Sequence, residues 1–407
     1  MNPRQPPAWM IGLAAFVLAV IAAGVALSLP SVWPVRPAWH DGGLRLFRDD
    51  HEVGVYFDRS RWLADRVAPY TPGHEQEYPP LGALYYALPR FFTGDPAVFE
   101  KIFVFVNAAM FGLLAGLAAW LLRRFGRSPA WLGLFCLPAF VYCSLWRFDL
   151  LPAVLAAVFL WAVCSDRPVA AFTALAAGVL AKYYPALFFV PFIMYLGSRR
   201  LDPAMGRRVS LGLIALAGVA AAGLLSVAAF AGFGAAVWPV LFHLGREFEI
   251  GSLGLAVLVA LFYLGASGLW LGRVVSGIFF LLQFGATVVY AAWGKPADLK
   301  AFVRACLFIL LPFLIFAHFF SPQWLLWLTP LYILVADRRE TVALIALDLS
   351  VYLQFPVVFG YSPYGWPYLA ASLIRTALMI CLAWLNTREL IRSGALVLPK
   401  FRPGAAA

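Results

Sequence analysis

The carboxylates of this chain are crowded into one segment near the N-terminus. Half of its 20 acidic residues lie between Asp41 and Glu100. Asp50 and Glu52 stand two residues apart, and Asp58 follows six residues after Glu52. A carboxylate can take the proton from an attacking hydroxyl group, so all three are candidate general bases.

Arginines alternate with these acids along the same segment. A guanidinium group binds two phosphate oxygens at once, and a cation near a departing phosphate stabilises the charge that develops on it. A carboxylate base beside such arginines suits transfer from a phosphate-linked donor. The alternative, in which each arginine forms a surface ion pair with a neighbouring acid, stays open. The arginines are Arg45, Arg48, Arg59, Arg61 and Arg66.

The elements that position this segment are predicted to be membrane helices. Of the 407 residues, 63% are hydrophobic and 13% are charged, whereas a soluble domain carries about 25% charged residues. Apolar stretches near the length of a bilayer-crossing helix recur from end to end. Because lipid offers the backbone no hydrogen-bond partner, these stretches must be helical. The sequence therefore predicts an all-α, polytopic membrane protein.

Basic residues stand at the ends of the apolar stretches, as in the cluster Arg123, Arg124 and Arg127. This positive-inside pattern places both termini in the cytoplasm and the large first loop, residues 31–97, outside. It also accounts for the net charge of +11, so no nucleic-acid partner is expected. Expected partners include membrane lipids, and the expected location is the plasma (inner) membrane.

We predict about 12 spans within a single integral membrane domain, residues 1–407. The first is interpreted as an uncleaved span rather than a signal peptide. If 253–266 crossed the membrane fully, the later basic loops would lie outside, against the positive-inside pattern. This segment is therefore predicted to be a re-entrant half-helix. The predicted spans are 9–30, 98–122, 129–146, 149–164, 168–182, 185–198, 209–230, 273–293, 302–317, 322–336, 340–358 and 368–387.

The first loop is expected to contain amphipathic helices. Val55, Tyr56, Trp62 and Leu63 would share one face of a helix lying at the outer membrane surface. The acids of such a helix would stand at headgroup level, where a lipid-linked substrate presents its reactive bond.

Other polar groups stand at span ends on the predicted outer face. A single group of this kind usually anchors its span, but convergence on the face of the first loop favours a shared site. Tyr183 also fits the belt of interfacial aromatic residues. The groups are Arg147, Asp149, Lys182, Tyr183, Arg246, His318 and Gln323.

Asp348 and Arg375 lie within the last two predicted spans, at comparable depth. Charged side chains inside the bilayer are costly and tend to pair with one another. The simplest prediction is a structural ion pair between these two residues.

Short polar and aromatic motifs follow one another in a fixed order. They are Asp50-His51-Glu52, Val55-Tyr56, Pro69-Tyr70, Glu77-Tyr78-Pro79-Pro80-Leu81, Arg147-Phe148-Asp149, Lys182-Tyr183-Tyr184-Pro185, Glu249-Ile250-Gly251-Ser252 and Ser321-Pro322-Gln323-Trp324-Leu325-Leu326-Trp327. The series resembles the GT-C glycosyltransferases, which use polyprenyl-phosphate sugars, over nearly the whole chain. The closest resemblance is to glycosyltransferase family 87, which includes phosphatidylinositol-mannoside mannosyltransferases. The mannosyltransferases that begin the GPI-anchor glycan are similar in arrangement.

The resemblance implies site residues. The family's acidic pair falls on Asp50 and Glu52, although relatives often carry Asp at the second position. Asp58 also matches an acidic position in some relatives, so the identity of the base stays open among the three. The motifs add Glu77 and Tyr78 to the substrate-binding set.

The resemblance also implies a reaction. A sugar, above all mannose, would pass by an inverting mechanism from a polyprenyl-phosphate donor to a lipid-linked, phosphatidylinositol-mannoside-like acceptor on the extracytoplasmic side. Arg59, Arg61 or Lys182 would neutralise the leaving phosphate. No cofactor is expected, and the alternative is a divalent cation held by Asp50 and Glu52.

The rival function is a transporter or flippase for a lipid or lipid-linked sugar. That class would place ionisable groups at mid-membrane and show a repeat of helices. In this sequence the charges stand mostly at one face, and no long-period repeat is visible, so the transferase is favoured.

Overall fold

The computed structural model describes residues 6–28, 48–71, 73–74, 76–199, 202–266, 268–359 and 365–399, with the side chains of Asp50 and Leu269 excepted. These residues form helices joined by short connections, and no strand occurs among them. Several of the helices are long and apolar enough to span a bilayer. The predicted all-α, polytopic membrane architecture is confirmed.

The N-terminal half of the chain alternates long apolar helices with the short helices of the first loop. Short 3₁₀ segments at Leu88–Phe91, Pro129–Cys136 and Tyr184–Phe188 connect some of them. The helices are α1 (Ala8–Ser28), α2 (Asp50–Arg59), α3 (Arg61–Ala64), α4 (Pro80–Ala87), α5 (Pro96–Arg124), α6 (Pro138–Trp146), α7 (Leu150–Cys164), α8 (Pro168–Ala181) and α9 (Phe189–Ser198).

The C-terminal half continues in the same way. A 3₁₀ turn, Pro322–Trp324, and a π-helical segment, Leu353–Val358, interrupt it. The helices are α10 (Pro203–Ala231), α11 (Phe233–Leu244), α12 (Leu253–Tyr263), α13 (Leu269–Trp293), α14 (Leu299–Ile315), α15 (Leu325–Val335), α16 (Arg338–Tyr352) and α17 (Trp366–Arg392).

Within the described residues, six helices are long and apolar enough to cross a membrane, namely α1, α5, α10, α13, α17 and α16 with its π-helical continuation. The predicted span 129–146 is instead a bent pair, because its two halves meet at an angle of 74°. The break falls at Leu137, whose backbone is extended before Pro138, as the proline ring favours. Other apolar helices have 10–17 residues, so the count of about 12 spans stays a prediction.

Two short helices, α11 and α12, lie between the predicted spans 209–230 and 273–293, where only a half-helix at 253–266 was predicted. The 11 residues of α12 give about 16 Å of helix, roughly half of the hydrocarbon core, as the half-helix prediction expects. No helix was predicted over Phe233–Leu244, the segment of α11, because Gly232, Gly234 and Pro239 are typical of a loop.

The first loop rests on the membrane helices through α2 and α4. Phe57 packs edge-on against Phe99 of α5, with ring centroids 5.3 Å apart, and Val53 and Tyr56 of α2 are buried in the protein. Gly82 of α4 approaches α8 so closely that a Cβ atom on it would lie 2.3 Å from the carbonyl oxygen of Ala181. This contact places α4 beside the residue that precedes Lys182.

Asp348 and Arg375 are not paired, and that prediction was wrong. The Asp348 carboxylate accepts hydrogen bonds at 3.0 Å from the backbone N–H groups of Ala139 and Phe140, and so caps the N-terminus of α6. Arg375 of α17 donates instead to neutral oxygens of other segments. A helix N-terminus binds a carboxylate well because its first N–H groups lack partners within the helix.

Candidate active site

A cavity of about 520 Å³ lies where the first loop meets the ends of the membrane helices. Charged and polar side chains from distant parts of the chain line it, together with a group of aromatic rings. The charged and polar residues include Asp49, His51, Glu52, Arg59, Glu77, Arg147, Lys182, His243, Arg246, Glu249 and Gln323. The aromatic residues include Tyr78, Tyr142, Phe319, Phe320, Phe355, Phe359 and Tyr368.

Arg147 joins two carboxylates at the centre of the polar group. Its Nη2 lies 2.5 Å from Asp49 Oδ2, and its Nη1 lies 2.5 Å from Glu52 Oε2. Asp49 also caps α2, since its side chain accepts from the Glu52 backbone N–H at 3.3 Å. The Glu52 side chain is 21% exposed and that of Asp49 is 5% exposed. Glu52 is therefore the member of the pair that a ligand in the cavity reaches more easily.

The two carboxyl groups titrate differently. Burial pushes the pKa of Glu52 upward, but Arg147 and a hydrogen bond from Tyr56 outweigh burial and hold that pKa below its usual value. Burial raises the pKa of Asp49, and the attraction of Arg147 only partly opposes it. Glu52 is thus kept ionised, as a proton acceptor must be at the start of a reaction.

The segment Arg147-Phe148-Asp149, which links α6 to α7, fixes the first loop in place. Between the two charged residues, Phe148 inserts its ring among aromatic side chains of that loop. The ring centroids of Tyr78 and Tyr56 lie 4.5 and 5.8 Å from that of Phe148. Because the neighbours of Phe148 in the chain are the two charged residues, this packing sets where both charges stand.

Polar side chains from the membrane helices hold both ends of α6. Asp348 caps its N-terminus. At the other end, Asn107 of α5 donates to the carbonyl oxygens of Leu145 and Arg147, at 2.9 and 3.1 Å. Asn107 also accepts from the Tyr85 hydroxyl of α4 at 2.7 Å. One buried amide therefore connects α5, α6 and the first loop.

Lys182 enters the cavity from the C-terminal end of α8. Its Nζ lies 2.7 Å from Asp149 Oδ1 and between 4.8 and 5.2 Å from the ring centroids of Tyr78, Phe148 and Trp327. Trp327 Nε1 donates to the same Asp149 oxygen at 3.0 Å. Asp149 is fully buried and is absent from the cavity lining, so it orients Lys182 rather than facing a ligand.

Two further cations complete the polar group. Arg59 of α2 pairs with Glu77, whose backbone carbonyl lies 3.1 Å from His243 Nε2 of α11. Arg246 pairs with Glu249 at 2.5 Å and lies over the Phe319 ring at 3.9 Å.

The structure brings most of the predicted site residues to the cavity. Glu52, Arg59, Glu77, Tyr78, Arg147, Lys182, Arg246 and Gln323 line it, and Asp149 lies directly behind Lys182. Gln323 is buried with no partner for its Oε1.

Other predicted site residues lie elsewhere. Asp58 and Arg61 are exposed and absent from the lining. His318 Nε2 contacts the Ser276 hydroxyl at 2.9 Å, and Tyr183 meets the edge of His243 without reaching the cavity.

Some lining residues escaped the sequence analysis. Asp49 carried a usable signal, because an acidic residue three positions before Glu52 is the pattern of a helix N-cap. His243 carried none, since it belongs to the helix that the analysis missed. Nothing in the local sequence linked it to Glu77, 166 residues away.

No group of three or more His, Cys, Asp or Glu side chains able to hold a metal ion occurs within the part of the chain that the structure describes. The alternative cation site at Asp50 and Glu52 falls on the side chain of Asp50, which lies outside the described residues, as does Arg45. Glu52 itself is engaged by Arg147.

Comparison with known proteins gives one informative similarity. No family model matches the chain. A stretch of 195 residues is 26% identical to GPI mannosyltransferase 1 of Aspergillus fumigatus, and it covers 44% of this chain and 43% of that protein. The chain thus matches less than half the length of this relative. The similarity supports a mannosyltransferase-like type, while membership of glycosyltransferase family 87 stays a prediction.

Proposed function

We propose that this protein is a membrane glycosyltransferase that moves mannose from a polyprenyl-phosphate donor to a lipid-linked glycan acceptor. The observation that carries the proposal is the pairing of Arg147 with both Asp49 and Glu52, which we call the Arg147 clamp. It holds an ionised Glu52 at the wall of a cavity lined by further cations. The similarity to a GPI mannosyltransferase supports the choice of sugar. We place the site on the extracytoplasmic side of the plasma membrane, as the charge pattern of the loops suggests.

In the proposed reaction, Glu52 accepts the proton of the acceptor hydroxyl as its oxygen attacks the anomeric carbon of the sugar. The new bond forms on the face opposite the phosphate, so the configuration of that carbon is inverted. The bond between the anomeric carbon and the phosphate oxygen breaks, and its electrons leave with polyprenyl phosphate. Lys182 and Arg59 lie in the same cavity and stabilise the negative charge of the leaving group.

Among the candidate bases, Glu52 is supported by its position. It faces the cavity, accepts from the Tyr56 hydroxyl at 2.9 Å and has a lowered pKa. Asp58 is exposed outside the cavity. The geometry also favours a transferase over a flippase, because the buried ions of α14, α16 and α17 bind fixed protein groups, as in the pair between Arg304 and Glu340 at 2.8 Å.

The test is transfer from radiolabelled polyprenyl-phosphate mannose in membranes that contain the full chain. We expect Glu52→Gln to lower the turnover number by at least about a hundredfold, because an amide cannot accept the proton. Asp58→Asn serves as the matched control and should keep activity close to that of the unaltered protein. Asp50→Asn tests the remaining candidate.

Two results would contradict the proposal at different levels. If folded Glu52→Gln transfers normally while Asp58→Asn does not, the assignment of the base is wrong. If the unaltered protein transfers nothing from any polyprenyl-phosphate sugar, the function itself is wrong.

A further inference from the structure

The four cations that line the cavity each have a carboxylate partner. Arg147 is bound by two carboxylates, and Asp149, the partner of Lys182, lies behind the cavity rather than in its lining. A phosphate entering this cavity must therefore compete with carboxylates for these cations, Lys182 and Arg59 included. The pairs are Arg147 with Asp49 and Glu52, Arg59 with Glu77, Lys182 with Asp149, and Arg246 with Glu249.

Arg375 of α17 differs from all four. It is 2% exposed, and no carboxylate among the described residues pairs with it. Its Nη1 donates to Gln354 Oε1 at 2.8 Å and its Nη2 to the Gly251 carbonyl at 2.5 Å, while its Nε has no partner. These partners are neutral, so no acid among the described residues compensates the positive charge of the guanidinium. An uncompensated buried charge is costly unless a counter-charge arrives.

This charge lies directly behind the wall of the cavity. The guanidinium carbon is 3.5 Å from the ring centroid of Phe320, and Phe320 lines the cavity. Arg375 also donates to the carbonyl of Gly251, and the residue before Gly251, Ile250, lines the cavity as well. One ring therefore separates the charge from the space that a ligand would occupy. Because Arg375 is buried, water screens its charge less than in bulk solvent, so its attraction for an anion in the cavity is stronger.

We propose that Arg375 is an electrostatic positioning residue whose uncompensated charge attracts the phosphate of the lipid-linked substrate to the Phe320 wall of the cavity. The inference rests on the proposed function for the identity of the ligand. Arg375 acts through Phe320 and does not touch the substrate. With a phosphate bound, its negative charge is opposed by a cation that no carboxylate among the described residues pairs with.

The test compares two ligands that differ only in charge, polyprenyl phosphate and the neutral polyprenol, on the full chain in detergent. The affinity of each is taken from its effect on the midpoint of thermal unfolding. We expect Arg375→Gln to weaken binding of polyprenyl phosphate by at least about tenfold. The affinity for polyprenol should stay within about twofold, since polyprenol carries no charge to attract.

Two further variants separate charge from structure. Arg388→Gln removes the same charge from the same helix, 13 residues and about 20 Å further along α17, and should leave both affinities unchanged. Arg375→Lys keeps the charge but cannot make both hydrogen bonds, and should preserve the ratio of the two affinities. If Arg375→Gln does not fold, this ratio in Arg375→Lys decides the question.

The proposal is overturned if Arg375→Gln loses both ligands equally, if it binds polyprenyl phosphate normally, or if Arg375→Lys loses the preference for phosphate. It is also overturned if the unaltered protein does not distinguish the two ligands, even when transfer activity is found. Conversely, a preference for phosphate that depends on Arg375, in a protein that transfers no sugar, would uphold this inference and refute the proposed transferase.

Discussion

The side-chain nitrogen of Asn107 lies 3.1 Å from the main-chain oxygen of Arg147, so a membrane helix holds the residue that clamps Asp49 and Glu52. The same nitrogen donates to the Leu145 carbonyl at 2.9 Å. Carbonyl groups at the C-terminus of a helix have no partner within the helix and must find one elsewhere. Asn107 satisfies two of them and thereby sets the position from which the Arg147 side chain leaves α6.

We expect Asn107→Leu to lower the turnover number by roughly tenfold, because Arg147 would no longer be held within the small tolerance that catalysis allows. It should also lower the free energy of unfolding by about 1–3 kcal/mol, since it leaves buried carbonyl groups unpaired. Asn386→Leu is the matched control, because Asn386 is equally buried and donates to the Arg304 carbonyl at 2.9 Å. That variant should lose stability but keep the turnover number of its folded fraction. Equal loss of turnover in both variants would contradict a positioning role for Asn107.

The acid limb of the rate–pH profile should move to higher pH in Arg147→Lys. Arg147 holds the pKa of Glu52 below its ordinary value of 4.5. In the unaltered protein, activity should therefore be present at pH 4.5 and above, and it should fall only at lower pH, where Glu52 becomes protonated. A lysine cannot bind both carboxylates as the guanidinium does, and burial would then raise the pKa of Glu52. Initial rates of transfer across the acid range measure the shift. The same exchange at the exposed Arg61 should leave the profile unchanged, and a movement there instead would contradict the clamp.

The approach of α4 to α8 depends on Gly82. A Cβ atom at this position would lie 2.3 Å from the Ala181 carbonyl, so Gly82→Ala must push α4 away from the residue that precedes Lys182. We expect a loss of about 1–3 kcal/mol in the free energy of unfolding, together with a higher KM for the donor. Gly94, in the same loop, has no atom within 4 Å of the corresponding position, and Gly94→Ala should change neither quantity. Thermal unfolding measures the loss of stability, and titration with the donor measures KM. Equal values for the two variants would contradict this role of Gly82.

The orientation of Lys182 should depend on Trp327. Trp327→Phe keeps an aromatic ring against Tyr184, whose centroid lies 4.0 Å away, but removes the N–H group that donates to Asp149. We expect kcat/KM to fall by roughly three- to tenfold, because a buried carboxylate that loses a donor holds Lys182 differently. Trp384→Phe, on an exposed part of α17, provides the control and should have no effect. Unchanged kinetics in Trp327→Phe would show that the indole N–H is dispensable.

The sequence alone predicted the class of protein and several of the residues that line the cavity. Hydropathy is a local property of the chain, so apolar stretches such as those of α5 and α17 can be recognised without any tertiary information. The concentration of acids in residues 31–97 and the polar groups at span ends pointed to one outer face. Eight of the predicted site residues line the cavity.

The sequence was least informative wherever a residue's partner lies far along the chain. Pairing Asp348 with Arg375 by depth alone was wrong, because depth does not fix which side of a helix a residue faces. In the structure Asp348 reaches a helix that lies 208 residues away in sequence, and Arg375 reaches Gly251, 124 residues away. Such contacts depend on how helices pack, and a hydropathy profile carries no information on packing.

The choice between Glu52 and Asp58 shows the same division. Both were candidates by type and spacing, and the sequence by itself determined only that a carboxylate stands in this segment. On an α-helix, six residues turn the chain by about 600°, so the two side chains leave α2 about 120° apart. Tertiary structure decided which of them meets the cavity, because Asp49 starts the helix at Asp50 and Arg147 arrives from α6 on the side of Glu52.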